Sequence, residues 1–363
     1  MKFHLVAIVL TCATILCVST NATSSLASDC VPSFPYSVGW LGGDAAYSIP
    51  LNDGRTVWLL GDSFIGAREA KSRVGSTMVA NAIAISDCRD GHWHIEYYWN
   101  NRSGVHSARA FFDAGDSGFG YWPGDGFVDR GKLYVVLMRV EKTAAGGAFG
   151  FKFVGVDLAT IVNPSDSPEQ WSVSYLALAR NELVSIVVQP PYAYLFGLLD
   201  DATHQHHGVI LTRISLNRLS APAKAIEHLA RDGTWRIGAD WRDARVIVQD
   251  CAPEFSVRYH PEIGKWILVQ QQARLGSGQI GIRKADRLEG PWSAFQAQLS
   301  EPEMAKDGFR NQGIFCYAAK EHAELAPAPR TLLVTYVCNS EEFRRLTLDM
   351  SIYHPVVVRL KLP

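Results

Sequence analysis

Apolar and polar positions alternate along this chain in short runs, with little helical spacing. TVWLLGDSF, KLYVVLMRV, LVSIVVQ, YAYLFGLL, GVILTRI, FSVRYH, KWILVQQQ, TLLVTYVC and PVVVRLKL are rich in β-branched and aromatic residues. Gly, Pro, Asn or Asp bounds most of them, so they read as strands. Helical patterns are few: APAKAIEHLARDG, residues 221–233, predicts one helix and DLATIV a single turn. Five hairpins recur, beginning near Asp44, Gly124, Leu183, Pro253 and Gly313, roughly 60 to 80 residues apart. That period leaves room for a four-stranded sheet with loops. IGIRKA, followed by a GPWS turn, supplies a third and fourth strand after the fourth hairpin. The expectation is an all-β, five-bladed β-propeller, with the terminal YHPVVVRLKL returning to the first blade to close the ring. A two-domain β-sandwich is the competing fold. The regular spacing and the lack of a linker favour one propeller over residues 28–363.

The 363 residues are 47% hydrophobic and 20% charged, enough for a large core, and the formal net charge is −1. No basic stripe appears, so nucleic acid is not an expected partner. The first 27 residues read as a secretory signal: Lys2, an apolar run from Leu5 to Val18, then Ser25-Leu26-Ala27 as the cleavage site and Ser28 as the first mature residue. The apolar run is too short for a membrane anchor, and no later stretch resembles a transmembrane helix. A secreted or periplasmic monomer is expected, with no membrane contact after signal removal. Removing the signal leaves Cys30, Cys88, Cys251, Cys316 and Cys338, enough for two disulfides and one thiol, with the pairing open. Asn101-Arg102-Ser103 is a glycosylation sequon.

The chemistry points to GGDAAYSIPLNDGRTVWLLGDSF, residues 42–64. A turn at Asp53 sets Asp44 opposite Asp62, or one position off if Asp53-Gly54 is a two-residue loop. Facing Cβ atoms on antiparallel strands lie about 4.5–5.5 Å apart. Carboxylates that close repel and hold a shared proton, which costs stability and suits acid–base chemistry. Gly42-Gly43 and Gly61 leave room for a ligand at the backbone. As ordinary turn residues, the two aspartates would only cap nearby amides.

Other candidates are weaker. Asp125 heads the second hairpin beside Trp122, as a third acid or a substrate ligand. Trp40 and Trp122 could stack on sugars or fill a core. Glu254 heads the fourth hairpin as a general acid, and Arg258 could pair with it or grip a substrate hydroxyl. Asn311 and Gln312 offer sugar hydrogen bonds at the fifth. DDATHQHHG, with Asp200, Asp201, His204, His206 and His207, fits no zinc spacing and reads as a solvated loop. No metal or cofactor is expected, and nothing indicates a structural calcium.

Together GWLGGDAAYSIPLNDGRTVWLLGDSFIG, YWPGDGF, PEFSVRYHPEIGKWILV and RLEGPWS resemble the domain-of-unknown-function 4185 family, from about Trp40 to Leu360. That family is similar in architecture to five-bladed propeller furanosidases, and its members are implicated as endo-D-arabinanases. The resemblance implies a glycoside hydrolase acting on an arabinan-like, furanose-containing polysaccharide, with Asp44 and Asp62 as the catalytic pair. The wider furanosidase pattern implies Asp44 as base, Glu254 as acid and Asp125 as the second aspartate, which tunes the acid. A non-catalytic carbohydrate-binding propeller is the alternative.

Overall fold

The computed structural model describes residues 30–36, 39–67, 70–101, 105–144, 150–200, 207–238, 241–274, 276–307 and 313–362. Its strands fall into five sheets arranged as a five-bladed β-propeller. The first blade holds β1 (Trp40–Pro50), β2 (Thr56–Ile65), β3 (Thr77–Val79), β4 (Ala82–Arg89) and β5 (His92–Tyr98). The second holds β6 (Gly120–Asp129), β7 (Lys132–Lys142), β8 (Phe151–Ile161) and β9 (Val173–Ala179). The third comprises β10 (Leu183–Gln189), β11 (Tyr192–Asp200), β12 (His207–Ser215), β13 (Glu227–Leu229), β14 (Trp235–Ile237) and β15 (Val246–Cys251). β16 (Phe255–His260), β17 (Lys265–Gln271), β18 (Gln279–Ala285) and β19 (Gln296–Ser300) form the fourth. The fifth has β20 (Ile314–Glu321), β21 (Thr331–Ser340) and β22 (Val356–Lys361), with short helices α1 (Pro302–Asp307) and α2 (Phe343–Leu348) beside it.

Three expectations are corrected. β22 pairs with β21 as the third strand of the fifth blade and does not join the first. Residues 221–233 form a 3₁₀ turn at Pro222–Lys224 and then strand β13, because Ile226 and Leu229 bury into the sheet junctions instead of lining one helical face. DLATIV lies mostly within β8, whose Leu158, Ala159 and Ile161 are buried.

Each sheet is buried on both faces, so its inner strands read as near-continuous apolar runs. Separate cores fill the blade junctions. Leu59, Ile83 and Leu137 pack between blades one and two, and Leu158, Leu195 and Ile210 between two and three. Phe196, Phe255 and Leu268 pack between three and four, and Ile280, Val334 and Tyr336 between four and five. Trp40, Trp58 and Leu60 fill the blade-one side of the closing junction. Each such side chain contributes roughly 1.5–3 kcal/mol.

Around the hub, a side chain of one inner strand accepts a backbone N–H of the next. Asp125 Oδ2 takes Ile186 N–H (2.9 Å), Ser185 Oγ takes Val257 N–H (3.1 Å), and Ser256 Oγ takes Glu321 N–H (2.7 Å). At the closing junction Lys320 Nζ donates to the carbonyl of Ala45 at 2.6 Å. Two disulfides join Cys30 to Cys88 and Cys316 to Cys338, leaving Cys251 as a buried thiol. No helix among the described residues is long and apolar enough to cross a membrane. The signal segment lies outside the described residues, as do Asp201, His204 and His206; Asp200 and His207 pair at the end of the β11–β12 hairpin.

Candidate functional site

The β1–β2 hairpin is regular near its turn, with Pro50 facing Thr56 and Tyr47 facing Leu59. Beyond Tyr47 the register shifts repeatedly before Gly43 meets Ser63. This bulge carries Asp44. Ala45 and Ala46 sit in the left-handed region, at φ 62° and 63°. That conformation costs an L-residue roughly 1–2 kcal/mol, so surrounding contacts must hold it. The glycines make room for protein atoms, correcting the expectation of a ligand against the backbone. A Cβ on Gly61 would lie 2.2 Å from Asp44 Oδ1. One on Gly42 would lie 2.3 Å from the Tyr353 carbonyl oxygen and 2.8 Å from Arg73 Nη2.

Asp44 Oδ2 accepts the Tyr317 hydroxyl at 2.5 Å and the Tyr353 hydroxyl at 3.3 Å. Asp62 Oδ1 accepts Trp122 Nε1–H at 3.0 Å. Both residues are half-buried. Burial pushes Asp44 up to about 8, reinforced by the charges of Asp62 and Glu254 and opposed by the tyrosine hydrogen bonds. Burial also raises Asp62, to about 6, against the pull of Trp122 and Lys142. The two titrate as a pair, both held above the usual carboxylate range. Burial and the charge of Asp44 raise Tyr317 well above the usual phenol, so its O–H remains a donor.

Glu254 reaches the same hub, where its Oε2 meets Lys320 Nζ at 2.8 Å. Its expected partner Arg258 is occupied elsewhere. Nη1 and Nη2 of Arg258 reach Asp125 Oδ2 at 3.3 and 3.2 Å, and Nη1 also donates to the Val257 and Ile186 carbonyls. Asp125, only 1% exposed, is thereby a junction residue, which corrects its reading as a substrate ligand or third acid. Trp40 is also corrected. Fully buried, it stacks on Tyr97 with centroids 4.4 Å apart and donates to Ser63 Oγ, so no sugar can reach its face. Trp122 does reach Asp62. Asn311 and Gln312 lie outside the described residues.

Sequence reasoning missed Tyr317, Tyr353 and Lys320. A signal for two of them existed: Asp44-Ala45-Ala46-Tyr47 in β1 and Tyr317-Ala318-Ala319-Lys320 in β20 share an X-Ala-Ala-X form at matching blade positions. Among the described residues, one metal-like grouping brings Glu303 near Cys316 and Cys338, but both sulfurs are in a disulfide and offer no thiolate. A shallow depression of about 270 Å³ lies beside the site, lined by Phe64, Arg73, Met78 and Phe343 among others. Its Phe64 packs edge-on against Tyr353, with centroids 5.5 Å apart.

Fold and site together define a five-bladed propeller with an acidic hub. The chain matches the family described as "Domain of unknown function (DUF5005)" over residues 34–361, and it belongs to that family. The motif resemblance to domain-of-unknown-function 4185 stays a resemblance. Among solved structures, the chain is similar to a proposed hydrolase from Bacteroides ovatus, with 17% identity, a TM-score of 0.69, and coverage of 89% of this chain and 86% of that one. It also aligns with the GH43_1 enzyme from Xanthomonas citri complexed with xylose, at 12% identity, TM-score 0.49 and 92% of each chain. The endo-arabinase from Bacteroides thetaiotaomicron aligns at 13% identity and TM-score 0.41, over 91% of this chain and 99% of that one. At these identities the likeness is one of fold. No curated protein matches the chain.

Proposed function

We propose that this protein is a glycoside hydrolase whose working pair is Asp44 and Asp62. The observation that carries the reading is the hairpin itself: two half-buried aspartates on neighbouring strands, both shifted upward, one held by Tyr317 and the other by Trp122. Groups separated in this way take the two halves of an acid–base cycle. Asp44, the later to ionise, donates its proton to the leaving glycosidic oxygen as the C–O bond breaks. Asp62 presents Oδ2, the oxygen that Trp122 leaves free, to the anomeric carbon. Water then attacks the glycosyl ester, giving one proton back to Asp44 and releasing Asp62. Retaining glycosidases set their two carboxyls about 5–5.5 Å apart, and the route proposed here is the retaining one. Glu254, bound to an ammonium, serves as its counter-charge instead of as the acid.

The substrate in this reading is an arabinan-like, furanose-containing polysaccharide, as the motif resemblance implies, with Trp122 at the rim of the site. Disulfides fit an oxidising compartment, and together with the proposed leader over residues 1–27 they support a secreted or periplasmic location.

The test is incubation with a polysaccharide panel that includes arabinan and arabinogalactan, reading new reducing ends. Asp44→Asn and Asp62→Asn are each expected to lower turnover about 10³-fold while polysaccharide binding persists. Retention of binding with no product from the unaltered protein on any polymer would establish the carbohydrate-binding alternative instead.

A further inference from the structure

The two X-Ala-Ala-X segments meet residue by residue across the junction of blades five and one. Their first residues share the Tyr317–Asp44 hydrogen bond of 2.5 Å. Their fourth residues also touch, with Lys320 Nζ 4.3 Å from the Tyr47 ring centroid. In both, the second residue is a left-handed alanine, Ala45 at φ 62° and Ala318 at φ 63°. Lys320 Nζ donates to the carbonyls of both alanines, at 2.6 and 2.8 Å, and its third polar contact is Glu254 Oε2 at 2.8 Å. The lysine is 1% exposed. An ammonium has three protons, and here each has one acceptor.

We infer that Lys320 is a positioning residue that locks the left-handed bulges of Ala45 and Ala318 and so fixes Asp44 against Tyr317. This rests on the proposal that Asp44 is the acid. The chemistry follows from the connectivity. Asp44 and Tyr317 each stand immediately before the alanine whose carbonyl the lysine grips. Alanine has no intrinsic reason to stay at positive φ, where glycine would be at ease. A buried cation, which must satisfy its protons locally, supplies the reason. Glu254 offsets the charge of the buried lysine. The groups facing Asp44 are Asp62 from β2, Tyr317 from β20, Tyr353 from the segment before β22, and Glu254 at the hub.

The test follows the carboxyl carbon of Asp44 by NMR across a pH titration, assigned with Asp44→Asn, so that it does not depend on turnover. Lys320→Met is expected to raise the Asp44 midpoint by about one unit, because the Tyr317 hydrogen bond that favours the ionised form loosens. In a Tyr317→Phe background the same change should add almost nothing. Adding Ala45→Gly and Ala318→Gly to Lys320→Met should return the midpoint most of the way, since glycine holds the left-handed turn unaided. If Lys320→Met alone does not fold, recovery of folding by the two glycines supports the inference, and a triple variant that stays unfolded overturns it. An unchanged midpoint in a folded Lys320→Met, or additive shifts with Tyr317→Phe, also overturns it. Failure of the hydrolase reading would show separately, as absence of product from the unaltered protein.

Discussion

The Tyr317 hydroxyl lies 2.5 Å from Asp44 Oδ2, across 273 residues of chain and the seam where the ring closes. The bond selectively stabilises the ionised carboxylate. Tyr317→Phe is therefore expected to raise the Asp44 pKa and to move the alkaline limb of the activity profile upward. Turnover at the optimum should fall about tenfold, because Asp44 loses its fixed orientation. A pH–rate profile of the variant checks both effects. An unmoved alkaline limb would separate Tyr317 from the acid.

The raised aspartates also fix how pH acts on activity and on folding. The proposed mechanism requires Asp62 ionised and Asp44 protonated, so the profile should be bell-shaped, with limbs near 6 and 8. For stability the sign is opposite to that of a salt-bridged carboxylate. Between the unfolded value of about 4 and their native values, these two groups hold more protons folded than unfolded. Their contribution is fully present below pH 4 and is lost as pH rises through about 6 for Asp62 and about 8 for Asp44. Melting temperature should accordingly decline between pH 4 and 8 by more in the unaltered protein than in Asp44→Asn. That variant should melt a few degrees higher at pH 8. Thermal melts at several pH values decide this.

Gly61 tests the packing of the acid directly. A Cβ there would sit 2.2 Å from Asp44 Oδ1, an impossible contact. Gly61→Ala must push the carboxylate away from its tyrosines or shift β2, at about 1–3 kcal/mol. Loss of most activity with a cooperative urea transition at lower midpoint is expected. An active Gly61→Ala would mean that Asp44 works from another position.

Much of this was legible in the chain, and what was not has physical causes. Period-two patterning and turn residues gave the blade hairpins, because buried strands need β-branched and aromatic side chains whatever their partners. The β1–β2 turn also set the register near the turn, where Tyr47 faces Leu59, but not the bulge beyond it that carries Asp44. Residues 221–233 misled because Ala, Lys, Glu and Leu favour helix locally, whereas β13 is held by pairing with β12 and β14. Arg258 misled because spacing along one strand puts it on the face of Glu254, whereas Asp125 from another blade reaches it first. Trp40 shows the same limit: the chain declares a large aromatic ring but not that Tyr97 covers it. Tyr317, Tyr353 and Lys320 come from the far end of the chain, and only ring closure brings them to the hairpin.

The Asp125–Arg258 pair gives a last prediction, about the ring instead of the chemistry. Asp125 is almost wholly enclosed, and Arg258 meets it from two blades away at 3.2 Å. Asp125 also accepts the N–H of Ile186 in the blade between them, so one carboxylate joins three blades. Removing either partner leaves the other charge buried without its counter-ion, which typically costs about 3–5 kcal/mol. Asp125→Asn and Arg258→Met should each lower stability by that order. The double variant should be less destabilised than the sum, because neither charge is then stranded. A double-mutant cycle in urea measures the coupling, expected to exceed about 1 kcal/mol. Additive losses would mean that the two residues act independently and that the hub is held by its backbone hydrogen bonds alone.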